Sequence, residues 1–112
     1  MKTIFEHIIE GSIQTDVIYE DEHIICIHDK FPQAPVHLLL ITKKVIPSIH
    51  KLEEKDMYLL RLIFSKAKEL AHQFGVADSY RILTNHGTDA GQTVMHLHFH
   101  LLGGKVLAAK GG

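Results

Sequence analysis

The sequence predicts an α+β fold, in which a mainly antiparallel sheet of five strands carries one short N-terminal helix and one long helix. Two observations support this class. Short apolar runs bounded by turn residues predict strands on both sides of a long stretch whose apolar residues have helical spacing. The 112 residues, 46% of them apolar, are enough for one hydrophobic core, and we expect a single domain over residues 1–112.

The first element is the short helix. Thr3 and Glu6 have the spacing of a capping box, and Gly11 provides a C-terminal stop. The apolar residues of this helix are Ile4, Phe5, Ile8 and Ile9.

The next three apolar runs predict strands over residues 17–19, 23–28 and 36–42. A polar turn separates the first two, and a loop containing Pro32 and Pro35 separates the second from the third, because proline cannot donate to a strand ladder. The third run is apolar on both faces, which is typical of a central strand.

The long helix is predicted to begin at Pro47-Ser48 and to end at Gly75, with apolar residues on one broad stripe. A fourth strand is predicted over 79–84, followed by a polar, glycine-rich loop over 85–93 and a fifth strand over 94–102. The small residues of 105–112 predict a loosely ordered tail.

The composition argues against several classes of protein. Twelve basic and 13 acidic residues nearly cancel, so we expect neither a general nucleic-acid binder nor a protein of anionic membranes. The single cysteine, Cys26, gives no disulfide framework and fits a reducing compartment. No apolar run is long enough to span a bilayer, and the N-terminus does not resemble a signal peptide, so we expect a cytoplasmic protein.

The fifth predicted strand contains the sequence MHLHFHLL, in which histidine alternates with apolar residues. Because successive side chains of a strand point to opposite faces, Met95, Leu97, Phe99 and Leu101 are expected to pack on the long helix. The opposite face then carries a row of imidazoles: His96, His98 and His100.

Three interpretations of this row remain open from the residues alone. It is the polar face of a strand, a metal site, or a site for phosphate chemistry. A metal is favoured less, because the outer two histidines lie about 13 Å apart along a straight strand and converge on one ion only with difficulty. A row of imidazoles suits an extended anion better, and the adjacent glycine-rich loop offers backbone N–H groups that approach oxyanions closely.

The chain resembles the histidine triad superfamily, whose signature is His-φ-His-φ-His-φ-φ with φ apolar. Further segments are similar to the Hint branch, the purine nucleoside phosphoramidases. The resemblance covers residues 3–105, and its segments are Thr3-Ile4-Phe5, Ile8-Ile9, His28-Asp29, Pro32-Gln33-Ala34-Pro35-Val36-His37, Gly91-Gln92-Thr93, the histidine row and Gly103-Gly104.

This resemblance implies a reaction on a purine nucleoside 5′-phosphoramidate or a related nucleoside monophosphate conjugate. The middle histidine attacks the α-phosphorus, and water then releases the nucleoside monophosphate from a nucleotidyl-histidine intermediate. No metal and no cofactor are implied, and the usual assembly is a homodimer with joined sheets. The alternatives are a dinucleoside polyphosphate hydrolase of the same superfamily, a nucleotide-binding regulatory or scaffold protein, and a metal-binding module.

The resemblance assigns roles by motif position, with His98 as the nucleophile. The other catalytic-site histidines are His96, His100 and His37. Phosphate and leaving-group contacts fall on Asn85, Gly91, Gln92 and Thr93, and the ribose contact falls on Asp29. The wall of the purine pocket falls on Ile4, Phe5, Ile8, Ile27, His28 and Leu39.

Two features of the chain depart from the Hint pattern. Thr93 stands where Hint proteins commonly have serine, which keeps the hydroxyl and adds a methyl group. The tail contains no tryptophan, unlike that of the eukaryotic members.

In the reaction that the resemblance implies, the proton for the leaving amine comes from a second imidazole or from a hydroxyl such as that of Thr93.

Overall fold

The computed structural model describes residues 1–109 and contains one five-stranded sheet. The strands are β1 (Val17–Glu20), β2 (Ile24–His28), β3 (Val36–Thr42), β4 (Tyr80–Leu83) and β5 (His98–Gly103), and the α-helices are α1 (Ile4–Ile9) and α2 (Met57–Gln73). The sheet order is β1-β2-β3-β5-β4, and each neighbouring pair is antiparallel. The predicted fold class is therefore confirmed, with β3 at the centre of the sheet.

Helix α1 begins at the capping box that the sequence predicts. The Thr3 hydroxyl accepts a hydrogen bond from the Glu6 backbone N–H, and the Glu6 carboxylate accepts one from the Thr3 N–H. The helix ends just before Gly11, whose φ of 84° lies in the left-handed region that favours glycine. Phe5 is its buried residue, and it anchors the helix to the sheet.

The predicted start of the long helix is wrong, because α2 begins at Met57 rather than at Pro47-Ser48. Leu52 and Glu53 have extended backbone, with ψ of 133° and 165°, and separate a first 3-10 turn (Ile49–Lys51) from a second (Glu54–Asp56), which leads directly into α2. The Asp56 carboxylate accepts from the Glu53 N–H and pairs with the Lys44 ammonium, which favours this break. The predicted end is confirmed: Gly75, with φ of 74°, follows the last turn.

The sheet has two buried faces. The helix face packs against α2 and contains Ile24, Cys26, Leu38, Leu40, Leu97, Phe99 and Leu101. The opposite face, called the pocket face below, contains Ile25, Ile27, Leu39 and Ile41 and packs against Phe5 of α1. Apolar residues at alternate positions on both sides explain why β2 and β3 read as continuous apolar runs.

The fifth strand begins four residues later than predicted, at His98. The alternation of faces nevertheless extends back to Leu97, which lies in the core of the helix face. Met95 does not join that core as predicted, since 42% of it is exposed. The residues before His98 are not part of the strand, and the backbone N–H of Leu97 donates to the carbonyl of Ile46 instead.

The tail forms no regular element between Lys105 and residue 109, and residues 110–112 of the predicted loose segment lie outside the described range. The tail is nevertheless attached to the sheet, because the Arg81 guanidinium donates to the carbonyl of Ala108. Among the described residues, no helix combines the length and the hydrophobicity that crossing a membrane requires.

Candidate active site

Two central strands bring three of the predicted histidines together. In the β3–β5 ladder Leu39 lies opposite His100 and Ile41 lies opposite His98, so both imidazoles project from the pocket face. His37 lies two residues before Leu39 and therefore shares that face. The ring centroids of His98 and His100 are 5.1 Å apart, and those of His37 and His100 are 5.2 Å apart. These three rings form one row in the structure, and the row below means His98, His100 and His37.

The carbonyl of His96 fixes the orientation of the His98 ring. The Nδ1 atom of His98 lies 2.6 Å from that oxygen, and a carbonyl can only accept a hydrogen bond. Nδ1 of His98 therefore carries the hydrogen, and Nε2 of the neutral ring carries the lone pair. Phe5 packs edge-on against the ring, with centroids 4.9 Å apart. His98 thus presents an oriented nucleophilic nitrogen.

The His96 ring itself is placed away from the row, in the protein interior. It is 0% exposed, its Nε2 donates to the Thr42 carbonyl at 2.6 Å, and its Nδ1 has no partner among residues 1–109. The ring does not border the cavity described next. His96 therefore acts on the site through its backbone oxygen, while its side chain joins the segment before β5 to the end of β3.

A cavity of about 990 Å³ opens on the pocket face beside the row, at the upper end of the size range of ligand pockets. His98, His100, Asp29 and Thr93 border it. Five of the six predicted purine-wall residues border it with apolar side chains: Ile4, Phe5, Ile8, Ile27 and Leu39. His28 also borders it, but its ring packs against Phe74, with centroids 5.6 Å apart.

Several residues around this cavity were not predicted. They are Ile13, Gln14, Thr15, Asp16, Lys30, Phe31 and Val94. The segment 13–16 carries no motif, and only the packing of α1 brings it to the cavity. Phe31 is 78% exposed at the cavity border, and its backbone N–H donates to Oδ1 of Asp29 at 2.8 Å. Its position two residues after Asp29 was the one signal in the sequence that it lies near the site.

The side chain of Gln92 supports the glycine-rich loop instead of facing the cavity. Its carbonyl oxygen accepts from the Gly87 N–H at 2.9 Å, and its amide nitrogen donates to the carbonyls of Pro47 and Val94 at 2.7 and 3.0 Å. The bond to Pro47 joins the loop to the segment before α2, and the other two bonds hold the loop to itself and to Val94.

The loop also uses several of its own backbone donors. The Gly91 N–H donates to the Thr88 carbonyl and the Gln92 N–H to the Gly87 carbonyl, both at 3.0 Å. Asn85 lies against Gly91, and none of the predicted contacts Asn85, Gly91 and Gln92 borders the cavity. Thr93 borders it, and within residues 1–109 its backbone N–H has no protein acceptor. Among the predicted phosphate contacts, Thr93 is the one placed to meet a ligand.

Burial keeps the three imidazoles of the row neutral. It lowers the pKa of His37 and His98 below the ordinary histidine value, against the opposing charge of Asp29. Burial, followed by the charges of His98 and His37, lowers the pKa of His100 to about 4. At neutral pH the row therefore offers lone pairs and N–H donors rather than fixed positive charge.

Asp29, His37 and His100 bring three potential metal ligands within 4.8 Å of one another. However, the backbone N–H of Gln33 donates to Nδ1 of His37 at 3.0 Å. A neutral imidazole carries one hydrogen, so Nε2 of His37 holds it and has no lone pair for an ion. The hydrogen bonding of this cluster therefore argues against a metal ion held by these three residues.

Comparison with known proteins agrees with this architecture. The HIT domain model matches residues 10–107. A HIT-like protein of Chlamydia trachomatis is 48% identical over 109 residues, which covers 97% of this chain and 98% of that protein. A HIT-like protein of Synechocystis is 45% identical over 103 residues, which covers 92% of this chain and 90% of that one.

Solved structures show the same similarity. A HIT family hydrolase from Clostridium thermocellum is 41% identical with a TM-score of 0.94, covering 97% of this chain and 96% of that one. A HIT family hydrolase from Legionella pneumophila is 39% identical with a TM-score of 0.95, covering 99% of this chain and all of the other. With its histidine row and these relatives, the chain belongs to the HIT domain family.

Proposed function

We propose that this chain is a nucleotide hydrolase of the Hint type, which cleaves purine nucleoside 5′-phosphoramidates or related nucleoside monophosphate conjugates. One observation carries the proposal. The hydrogen bond to the His96 carbonyl leaves the lone pair of His98 at Nε2, and both His98 and Asp29 border the cavity. Two solved relatives are named HIT family hydrolases, which supports hydrolysis as the reaction class.

The cavity suits a nucleoside monophosphate. A purine ring fits between apolar walls that include Phe5, Ile27 and Leu39, where burial of its faces is favourable. The Asp29 carboxylate accepts hydrogen bonds from the ribose hydroxyls. In this binding mode the 5′-phosphate would lie next to His98, with the Thr93 N–H and His100 as donors to its oxygens.

The chemistry proceeds in two displacements. Nε2 of His98 attacks the α-phosphorus, a bond forms between phosphorus and Nε2, and the bond to the leaving nitrogen breaks. The imidazole becomes cationic, and its Nδ1–H then donates more strongly to the His96 carbonyl. Water attacks the phosphorus of the nucleotidyl-histidine in the second step, which restores neutral His98 and releases the nucleoside monophosphate.

The leaving amine takes a proton as it departs. A neutral imidazole is a poor acid, and burial lowers the pKa of His100 to about 4. The Thr93 hydroxyl borders the same cavity and relays a proton from solvent to the leaving nitrogen. Of the two sources that the sequence left open, we therefore propose the hydroxyl.

A reaction with adenosine 5′-phosphoramidate, quenched in denaturant at alkaline pH, tests the function. We expect AMP release and an AMP adduct that peptide mapping assigns to His98. Faster turnover of diadenosine polyphosphates would indicate the sister activity, and AMP binding without turnover would indicate a regulatory protein. One tightly held zinc ion per chain, without nucleotide binding, would indicate a metal module.

We also propose that the chain forms a homodimer. The outer edge of β4 has no strand partner among the described residues, and exposed edges invite pairing with another chain. Helix α2 exposes Tyr58 and Phe64 at 42% and 44%. Sedimentation of the wild type and Phe64→Glu tests this: the variant should sediment as a monomer, while Lys68→Ala, at another exposed position of α2, should not.

A cytoplasmic location completes the proposal. Burial raises the pKa of the single thiol, Cys26, to about 12, so the thiol stays protonated and unreactive. Such a protein needs no oxidising compartment. Cell fractionation should recover it with soluble cytoplasmic markers.

A further inference from the structure

We propose that the backbone N–H of Gln33 is a positioning group of the active site, because it sets the tautomer of His37 and, through it, that of His100. The inference rests on the proposed function for its effect on turnover, but its effect on the imidazoles holds without it. Gln33 belongs to none of the predicted site residues, and it acts through its backbone.

The first step is the bond from Gln33 to His37. The amide hydrogen of Gln33 points at Nδ1 of His37 across 3.0 Å, so Nδ1 must accept. His37 is 3% exposed, which shields this bond from competing water. Protonation at Nδ1 would place two hydrogens between the same pair of nitrogens. Neutral His37 therefore carries its hydrogen at Nε2.

The second step passes from His37 to His100. Nε2 of His37 lies 2.9 Å from Nδ1 of His100 and 3.3 Å from Oδ2 of Asp29. Only the His100 contact has the geometry of a hydrogen bond, so the His37 hydrogen is directed at Nδ1 of His100. Nδ1 of His100 accepts, and the neutral ring carries its own hydrogen at Nε2.

The two neighbouring histidines that border the cavity therefore have opposite tautomers. His98, whose Nδ1 donates to a carbonyl, offers a bare Nε2, while His100, whose Nδ1 accepts from His37, offers Nε2–H. Both rings border the cavity. One imidazole is set to attack phosphorus, and its neighbour is set to donate to a phosphate oxygen that gains charge as the attack proceeds.

The two hydrogen bonds of His37 also prevent it from transferring protons. After giving up its Nε2 hydrogen, His37 would have no hydrogen on either nitrogen, because the Gln33 amide does not release its own. His37 therefore does not relay protons to His100. It serves as a fixed donor that orients the ring, and Gln33 keeps it in that state.

The direct test is the protonation pattern of the site in the wild-type protein, read from two-bond ¹H–¹⁵N correlation spectra of the histidine side chains at neutral pH. We expect the hydrogen at Nε2 in His37 and His100 and at Nδ1 in His98. A hydrogen at Nδ1 of His37, or at Nδ1 of His100, would overturn the inference whether or not the protein hydrolyses nucleotides.

A pair of variants tests the role of the amide. Gln33→Pro removes the N–H, and Gln33→Ala keeps it while removing the same side chain. We expect Gln33→Pro to mix the tautomers of His37 and His100 and to lower kcat about tenfold, with KM changed little, since the donor matters most in the transition state. Gln33→Ala should retain both the wild-type spectrum and kcat.

The outcomes separate the two proposals. An unchanged spectrum and unchanged kcat in a folded Gln33→Pro variant would refute the positioning role. The expected tautomers in a protein that turns over no nucleotide would leave the positioning of the imidazoles standing and remove the proposed function. If Gln33→Pro does not fold, as judged by circular dichroism, the wild-type spectrum decides by itself.

Discussion

The hydroxyl of Thr84 donates a hydrogen bond to the carbonyl oxygen of His98 across 2.7 Å. The β4–β5 ladder ends with the pair Leu83 and His100, so this bond continues the tie between the strands by a side chain where the backbone no longer provides it. Together with the His96 carbonyl at Nδ1, it holds the proposed nucleophile at both backbone and ring.

We expect Thr84→Val to lower both stability and turnover, because the His98 carbonyl loses its donor. The free energy of unfolding should fall by about 1 kcal/mol, and kcat should fall severalfold. Urea titration and steady-state kinetics measure the two effects. Thr84→Ser keeps the hydroxyl and should retain kcat, and equal losses in both variants would contradict the role of the bond.

His98→Ala should abolish turnover while leaving AMP binding largely intact, because it removes the nucleophile but leaves the cavity walls and Asp29 in place. Intact-protein mass spectra should show no nucleotidyl adduct. His72→Ala, an exposed position on α2, is the matched histidine control and should behave like the wild type. Loss of AMP binding in a folded His98→Ala protein would show that His98 also binds the ligand.

His96→Ala should be strongly destabilising, although the residue belongs to the histidine row in sequence. It empties a fully buried site and removes the donor to the Thr42 carbonyl, so we expect a loss of about 2–5 kcal/mol in the free energy of unfolding. Met95→Ala, one residue away and exposed, should change it by less than about 0.5 kcal/mol. Chemical denaturation compares them, and a stable His96→Ala protein would refute the structural role.

The stability of the protein should fall between pH 6.5 and about 4. Burial lowers the pKa of His100 to about 4 in the folded state, so the unfolded chain takes up its proton first as the pH falls. The stabilisation is fully present above pH 6.5 and is lost as the pH approaches 4. Each such histidine contributes a slope of at most about 1.4 kcal/mol per pH unit.

The variant His100→Gln isolates that contribution. Urea titrations at several pH values should give a shallower slope for the variant than for the wild type in this range. Equal slopes would mean that His100 does not titrate differently in the folded and unfolded states.

Asp29→Asn should weaken recognition of the ribose. A carboxylate accepts from both hydroxyls, whereas an amide has one acceptor oxygen, and we expect KM to rise about tenfold for a ribonucleotide substrate. The wild type should prefer the ribonucleotide over its 2′-deoxy analogue, and the variant should lose most of that preference. A preference that survives in Asp29→Asn would place ribose recognition elsewhere.

The sequence by itself determined the fold class, the α1 capping box, β3 and the shared face of His98 and His100. These features depend on short-range patterns: residue spacing, helix caps and alternation along a strand. The start of α2 was missed because Leu52 fits the helical stripe. Nothing local shows that Asp56 pairs with Lys44 or that the backbone is extended at Leu52 and Glu53.

Tertiary structure decided which members of the motifs reach the cavity. His96 and His98 are both histidines of the same alternating motif, yet the His96 ring is buried against Thr42 and His98 borders the cavity. The physical reason is that β5 begins at His98, so His96 lies outside the strand. Gln92 was similarly assigned to the ligand, but its amide bonds to the backbone of Gly87, Pro47 and Val94 instead.

The tautomers of the row depend on contacts over long sequence distances. His37 and His100 are 63 residues apart, and only the pairing of β3 with β5 brings their nitrogens within 2.9 Å. A residue pattern fixes the type of side chain that is present. The position of a hydrogen on an imidazole depends on which donor or acceptor each nitrogen meets, and folding alone determines that.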